Sequence, residues 1–156
     1  MTTTSLQAEL KQSRPFPSAE AEAMLSILRT AAMLDHQIAD ALKPHGLTPT
    51  QHNVLRILRG AGADGLCGRE IGERLVARVP DVPRLLERME SQGLIGRQRD
   101  PDDRRHVTAR ITRKGLDLVA RVTPDLEAVQ NRLLGHVKRN ALRELIDGLA
   151  TIRSRS

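Results

Sequence analysis

The feature that most constrains this chain is the order of elements between residues 69 and 111: two short helical stretches, a glycine, and two strand-like runs joined by an acidic turn. The first stretch, about 69–77, sets Ile71 and Leu75 one helical turn apart. Arg78, Val79, Pro80 and Asp81 interrupt it. A second stretch runs to about Ser91 with Val82, Leu85, Leu86 and Met89 on one face, and apolar residues three and four apart share a buried helix face. Gly93 stands where a left-handed residue ends a helix. Residues 94–99 (LIGRQR) and 107–111 (VTARI) read as strands, the second with strict alternation. Between them lies DPDD, where Pro101 presets φ and Asp side chains bond nearby N–H groups, so the segment is a hairpin tip. Two short helices across a tight break, followed directly by a hairpin, make a winged helix.

The flanks are helical. Residues 1–17 are polar, end in Pro15-Phe16-Pro17, and read as a mobile arm or irregular lead-in. Ser18 then caps a helix that runs to about Leu42 and stops at 43–46 (KPHG). Leu25, Leu28, Ala32, Ile38 and Leu42 keep helical spacing, and Met24, Ile27, Ala31 and Leu34 widen the apolar surface. Such a helix needs partners on more than one side, and a second subunit is one candidate. Thr48, Pro49 and Gln51 form a capping box with proline at the first helical position, ahead of Val54, Leu55 and Leu58 and a stop at Gly60 and Gly62. Thr112 caps a fifth helix carrying Leu116, Val119, Leu126, Val129 and Leu133, which Pro124 is expected to kink or break. Asn140 is expected to cap a last helix bearing Leu142, Leu145, Ile146, Leu149 and Ile152.

Composition narrows the partner. The 156 residues fit one domain and carry a net charge of +6. Of the basic residues, 21 are Arg and 4 are Lys, and the planar Arg fork suits phosphates and base edges. There is one Phe and no Tyr or Trp. Single-stranded nucleic acid is usually held on aromatic platforms, so a duplex is the better fit for this chain. No apolar run is long enough to cross a membrane, and MTTTSLQAELKQSRP lacks the apolar core of a secretory signal. A single cysteine, Cys67, cannot form an internal disulfide framework and fits a reducing cytoplasm. At a helix start its thiol could be reactive, or it could be a small half-buried side chain. His36, His45, His52, His106 and His136 show no metal-type pairing, and no Gly-x-Ser-x-Gly, HExxH or P-loop occurs. Neither a cofactor nor an enzymatic activity is expected.

Residues 47–115 resemble the winged-helix domain of MarR-type transcriptional regulators. The matching segments are LTPTQHNVLRIL, GREIGERL, VPRLLERMESQGLI and RDPDDRRHVTARITRKG, and the flanking helices extend the resemblance over about 18–153. It implies a mainly α fold with a small β-hairpin. An arm (1–17) would precede dimerisation helices (18–46 and 112–156) around a DNA-binding winged helix-turn-helix domain (47–111). It also implies a homodimer on a pseudo-palindromic operator in double-stranded DNA. Many such proteins release DNA on binding a small aromatic or phenolic acid. One departure concerns Pro83: the family often has Ser or Thr there, whose hydroxyl can touch DNA, and proline cannot donate.

Arg84 and Arg88 lie one turn apart opposite Leu85, Leu86 and Met89, the face that would enter a major groove. Arg78, Asp81, Val82 and Pro83 are the neighbouring candidates. The competing reading is a solvated face with Arg84 paired to Glu87 or Glu90. At the hairpin tip, the resemblance makes Arg105 the minor-groove residue beside Arg104, with Asp103 as its brace. Residues 97–114 hold seven basic residues against three acids. Arg29, His36 and His52 are candidates for an effector pocket between the first and second helices; structural histidines would look the same. A rival role is a winged-helix module for protein–protein contact without ligand response. Duplex RNA fits less well, because its major groove is too narrow for a recognition helix.

Overall fold

The computed structural model describes residues 4–103 and 106–154. The lead-in contains one helical turn, α1 (Leu6–Glu9), capped by the Ser5 hydroxyl, where an irregular segment was expected. α2 (Ala19–Leu42) begins where the Ser18 hydroxyl accepts the Ala21 N–H at 3.1 Å. α3 (Pro49–Ala61) carries the full capping box: the Thr48 hydroxyl accepts the Gln51 N–H at 3.2 Å, and the Gln51 side-chain Oε1 accepts the Thr48 N–H at 3.1 Å. Gly60, expected to help end this helix, lies inside it, and Gly62 is the cap. A helical glycine costs only about 1 kcal/mol against alanine, too little to stop a helix with Val54, Leu55 and Leu58 buried just upstream.

α4 (Gly68–Arg74) is shorter than the pattern suggests, because Leu75 already has extended backbone, φ −65° and ψ 138°. α5 (Val82–Ser91) starts at Asp81, whose carboxylate accepts the Arg84 N–H at 3.0 Å. Pro83 sits in this first turn, where its missing N–H has no intrahelical partner to lose. Gly93 takes the left-handed conformation, φ +73°, that turns the chain into the hairpin.

The sheet has three antiparallel strands in the order β1-β3-β2. β2 (Ile95–Arg99) and β3 (Val107–Ile111) pair from Ile95 opposite Ile111 to Arg99 opposite Val107. β1 (Leu66–Cys67) pairs Leu66 with Ala109 and Cys67 with Thr108. Gly65 permits this approach: a Cβ there would lie 2.4 Å from the Ala109 carbonyl oxygen.

α6 (Arg113–Leu134) starts where the Thr112 hydroxyl accepts the Gly115 N–H at 3.1 Å. Of the kink or break expected at Pro124, the break does not occur: the helix runs on through it. Leu118, Val119, Val122 and Val129 are buried on both sides of the proline and hold the helix together. The carbonyl freed by the missing N–H belongs to exposed Ala120, where water can satisfy it. α7 (Arg139–Arg153) starts after Lys138, so Asn140 lies in its first turn and does not cap it. The core gathers Leu42 from α2, Leu55 and Leu58 from α3, Ile71 from α4, Met89 from α5 and Val122 from α6, all fully buried. No described helix is long and apolar enough to cross a membrane.

Candidate nucleic-acid interface

α5 buries Leu86 and Met89 and half-buries Val82 and Leu85, which turns Pro83, Arg84, Glu87 and Arg88 outward. Arg78 and Asp81 are exposed just ahead of the helix. The acids on α5 do not pair with its arginines. Glu90 accepts from the Arg97 backbone N–H at 3.1 Å and from its Nε at 2.8 Å, and Glu87 lies 3.9 Å from the same guanidinium. Among the described residues, neither Arg84 nor Arg88 lies within salt-bridge distance of a carboxylate. α5 therefore presents two uncompensated guanidiniums on an open face, and its acids fasten it to β2.

The hairpin tip is shaped by Asp100. Its carboxylate accepts the Asp102 N–H at 2.8 Å and the Asp103 N–H at 3.4 Å. Backbone bonds close the turn, Asp100 N–H to the His106 carbonyl and His106 N–H to the Asp103 carbonyl, both at 2.9 Å. Asp103 is exposed at the tip; Arg104 and Arg105 lie outside the described residues. On the central strand, the Arg110 Nε donates to the Ala63 carbonyl at 2.6 Å and ties β3 to the turn after α3.

Open arginines on a short helix beside a hairpin have clear relatives. A profile of the MarR family matches residues 47–107. The HTH-type transcriptional regulator YkoM of Bacillus subtilis is 32% identical over 114 residues, which is 70% of this chain and 72% of that protein. The chain belongs to the MarR family. It is accordingly a DNA-binding transcriptional regulator of the helix-turn-helix type. A MarR transcription factor from Planctomyces limnophilus superposes with a TM-score of 0.69 at 31% identity, over 88% of this chain and 99% of that one. The transcriptional repressor CouR, solved bound to a 23-mer DNA duplex, is 27% identical with a TM-score of 0.69, over 88% and 99% of the two chains.

In this MarR-family chain, a cavity of about 380 Å³ opens where α2, α3 and α6 meet. Leu34, Ile38, Leu126, Val129 and Leu133 form its apolar wall; Asp35, His52, Asn53 and Arg56 bring polar groups to it. Of the three residues expected in an effector pocket, only His52 lines it. Arg29 lies 4.0 Å from Glu9, and exposed His36 lies 3.4 Å from Asp40 on its own helix. Arg29 lies more than a turn before the α2 residues that line the cavity, Leu34, Asp35 and Ile38, and His36, though between them in sequence, projects from another face of the helix toward Asp40. His52 is buried, and that burial, with Arg56 and Arg59 on the same helix, holds its imidazole below the ordinary pKa. Arg56 and Asn53 are the cavity residues that sequence reasoning missed; their spacing from His52 along α3 was the available signal. Cys67 is half-buried at the start of α4, where its backbone N–H donates to the Glu70 carboxylate at 2.9 Å.

Proposed function

We propose that the protein is a cytoplasmic, homodimeric repressor that reads a pseudo-palindromic operator. α5 enters the major groove and the hairpin tip meets the adjacent minor groove. The observation that carries this reading is the open face of α5, where Arg84 and Arg88 are exposed while Glu87 and Glu90 turn to Arg97. Arg84, in the first turn, is placed to reach a base edge or an adjacent phosphate, with Arg88 one turn behind. Arg78, Asp81, Val82 and Pro83 surround that first turn. Arg105, beside Arg104 and braced by Asp103, is assigned to the minor groove by family resemblance. The duplex-bound repressor CouR, which shares this fold, supports the same docking.

Exposed apolar side chains support the dimer. Met24 and Leu28 on α2 are each 59% exposed, and Leu145 and Ile146 on α7 are 52% and 53% exposed. α7 has no buried residue at all, although it repeats apolar positions at helical spacing. A second copy would cover both helices and set the two α5 helices about one duplex turn apart. The cavity is proposed to take a small organic anion, with Arg56 as its cationic partner and an aliphatic wall in place of aromatic rings.

Selection of bound duplexes from a random pool tests the reading. The expected product is two inverted half-sites with centres roughly one helical turn apart, or a multiple of it. Recovery of unrelated sequences would refute the operator, and recovery of a single half-site would refute the dimer. Aromatic and aliphatic carboxylates added to the selected complex should release it if the cavity is an effector site.

A further inference from the structure

The two ends of α5 are held very differently. At its C-terminal end, the Gln51 side-chain amide donates to the Gln92 side-chain carbonyl at 3.2 Å, and the Lys114 ammonium donates to the Gln92 backbone carbonyl at 2.7 Å. The Thr112 hydroxyl donates to the Gly93 carbonyl at 2.7 Å, and Glu90 grips Arg97. At the N-terminal end, residues 76–80 have no regular structure. Among the described residues, one hydrogen bond joins this segment to another element: the Val76 N–H donates to the Asn53 side-chain carbonyl at 2.8 Å. The Val76 side chain is 92% exposed and adds little packing of its own. Asn53 belongs to α3, a rigid helix whose neighbours Val54 and Leu55 are fully buried.

We propose that Asn53 is a positioning residue for DNA recognition: its amide fixes where α5 begins, and so where Arg84 is presented. The proposal rests on the reading of α5 as the recognition helix. The physical case is one of leverage. A bond near an exposed segment adds little to global stability, because water replaces it when it is lost. The same bond restricts five residues of irregular chain directly upstream of the helix that must dock. Specific binding needs one placement of Arg84, and non-specific attraction to phosphates does not. Asn53 also lines the cavity together with Val76 and Ala77, so an occupant would meet the tether itself.

The test uses the full chain with Asn53→Ala, Asn53→Asp and Arg84→Ala, a duplex selected from a random pool, and a scrambled duplex of equal length. Asn53→Ala should lower the preference for the selected duplex by about fivefold per half-site, the worth of one neutral hydrogen bond. Affinity for the scrambled duplex and thermal stability should stay near native. Hydrogen exchange at the Val76 amide should rise about fivefold by the same reasoning, while the buried Leu58 and Val122 amides do not change. Asn53→Asp keeps an acceptor and should restore both properties. Native preference and native Val76 exchange in Asn53→Ala would overturn the proposal. So would equal losses on both duplexes, or failure of Asn53→Asp to restore. If Arg84→Ala relaxes the preference and Asn53→Ala does not, the proposal alone falls. If Arg84→Ala also leaves the preference native, the reading of α5 falls and the proposal falls with it.

Discussion

The core under the winged region is closed within one chain, with Leu42 of α2 and Leu118, Val119 and Val122 of α6 completing it, whereas α7 and the outer face of α2 stay open. Between Leu47 and Val122, apolar side chains from four helices and three strands meet and are buried to a few per cent exposure. α2 and α7 are no less apolar in pattern, yet Met24, Leu28, Leu145 and Ile146 face outward. The difference lies in topology. α3, α4, α5 and the sheet surround one another, so each apolar face finds a cover within the same chain. α7 comes last, after every inward position is filled. One region is complete alone and the other is half of an interface.

The largest test of that contrast is truncation inside the closed core. Leu55 is fully buried on α3, which packs against α4, β3 and α6, and Leu55→Ala should destabilise the fold by about 2–5 kcal/mol in denaturant titrations. The same change at Ile146 should cost the isolated chain little, because about half of its surface is already wet. Next comes the open interface. Leu145→Glu with Ile146→Glu would place four carboxylates across a two-fold contact. Sedimentation should then show the 17.3 kDa chain in place of twice that mass. A native protein that sediments as a monomer at micromolar concentration would break the comparison outright.

The same divide separates what could be read in the sequence from what could not. Caps are local, so Ser18, Thr48 with Gln51, and Thr112 were legible from a few adjacent residues. Buried faces were legible because Val54, Leu55 and Leu58, or Leu86 and Met89, repeat at helical spacing. β1 was not, because two residues carry no period and their partner, β3, lies some forty residues on. Pro124 misled because a local rule was overridden by burial on both sides of it. At the site, the outward arginines of α5 were legible, but the partner of Glu90 was not. Glu87, three residues past Arg84, could have paired with it along the helix, and only the fold shows Glu87 and Glu90 both turned to Arg97. Of Arg29, His36 and His52, only His52 lines the cavity, because the register of α2 against α3, which no local pattern carries, decides which side chains meet there.

Smaller effects are expected on the proposed DNA face, which lies on the closed region. Arg84→Ala should cost roughly 1–3 kcal/mol per half-site on the selected operator and relax preference at one position. Arg105→Ala should weaken every sequence, most where A·T-rich flanks narrow the minor groove, and Asp103→Ala should partly mimic it. Operator-variant competition assays read all three. Binding should also fall steeply with salt, by about 0.9 in log K per log salt for each phosphate neutralised. If the response is flat, the basic face is not the one that binds.

The smallest expected effect sits at the seam between the two regions. His52 is on α3, within the closed core's outer layer, and it lines the cavity that α2 and α6 complete. Burial holds its imidazole pKa down, and the guanidiniums of Arg56 and Arg59 push the same way; Asp35 faces the same cavity from α2. The sign follows from linkage. In the unfolded chain His52 titrates near its ordinary value of about 6.5, above its folded value. Above pH 6.5 the ring is neutral in both states, and the folded state keeps its full stability. As pH falls below 6.5 the unfolded chain takes the proton first, and stability drops until the folded ring also protonates. His52→Gln, which stays neutral throughout, should therefore lose less stability than the native protein between about pH 6.5 and pH 5. Thermal midpoints measured across that window give the comparison, and identical slopes would mean the seam does not feel this histidine. An organic anion held by Arg56 would offset one of the charges that depress the ring, so a bound carboxylate should flatten the native slope toward that of the variant.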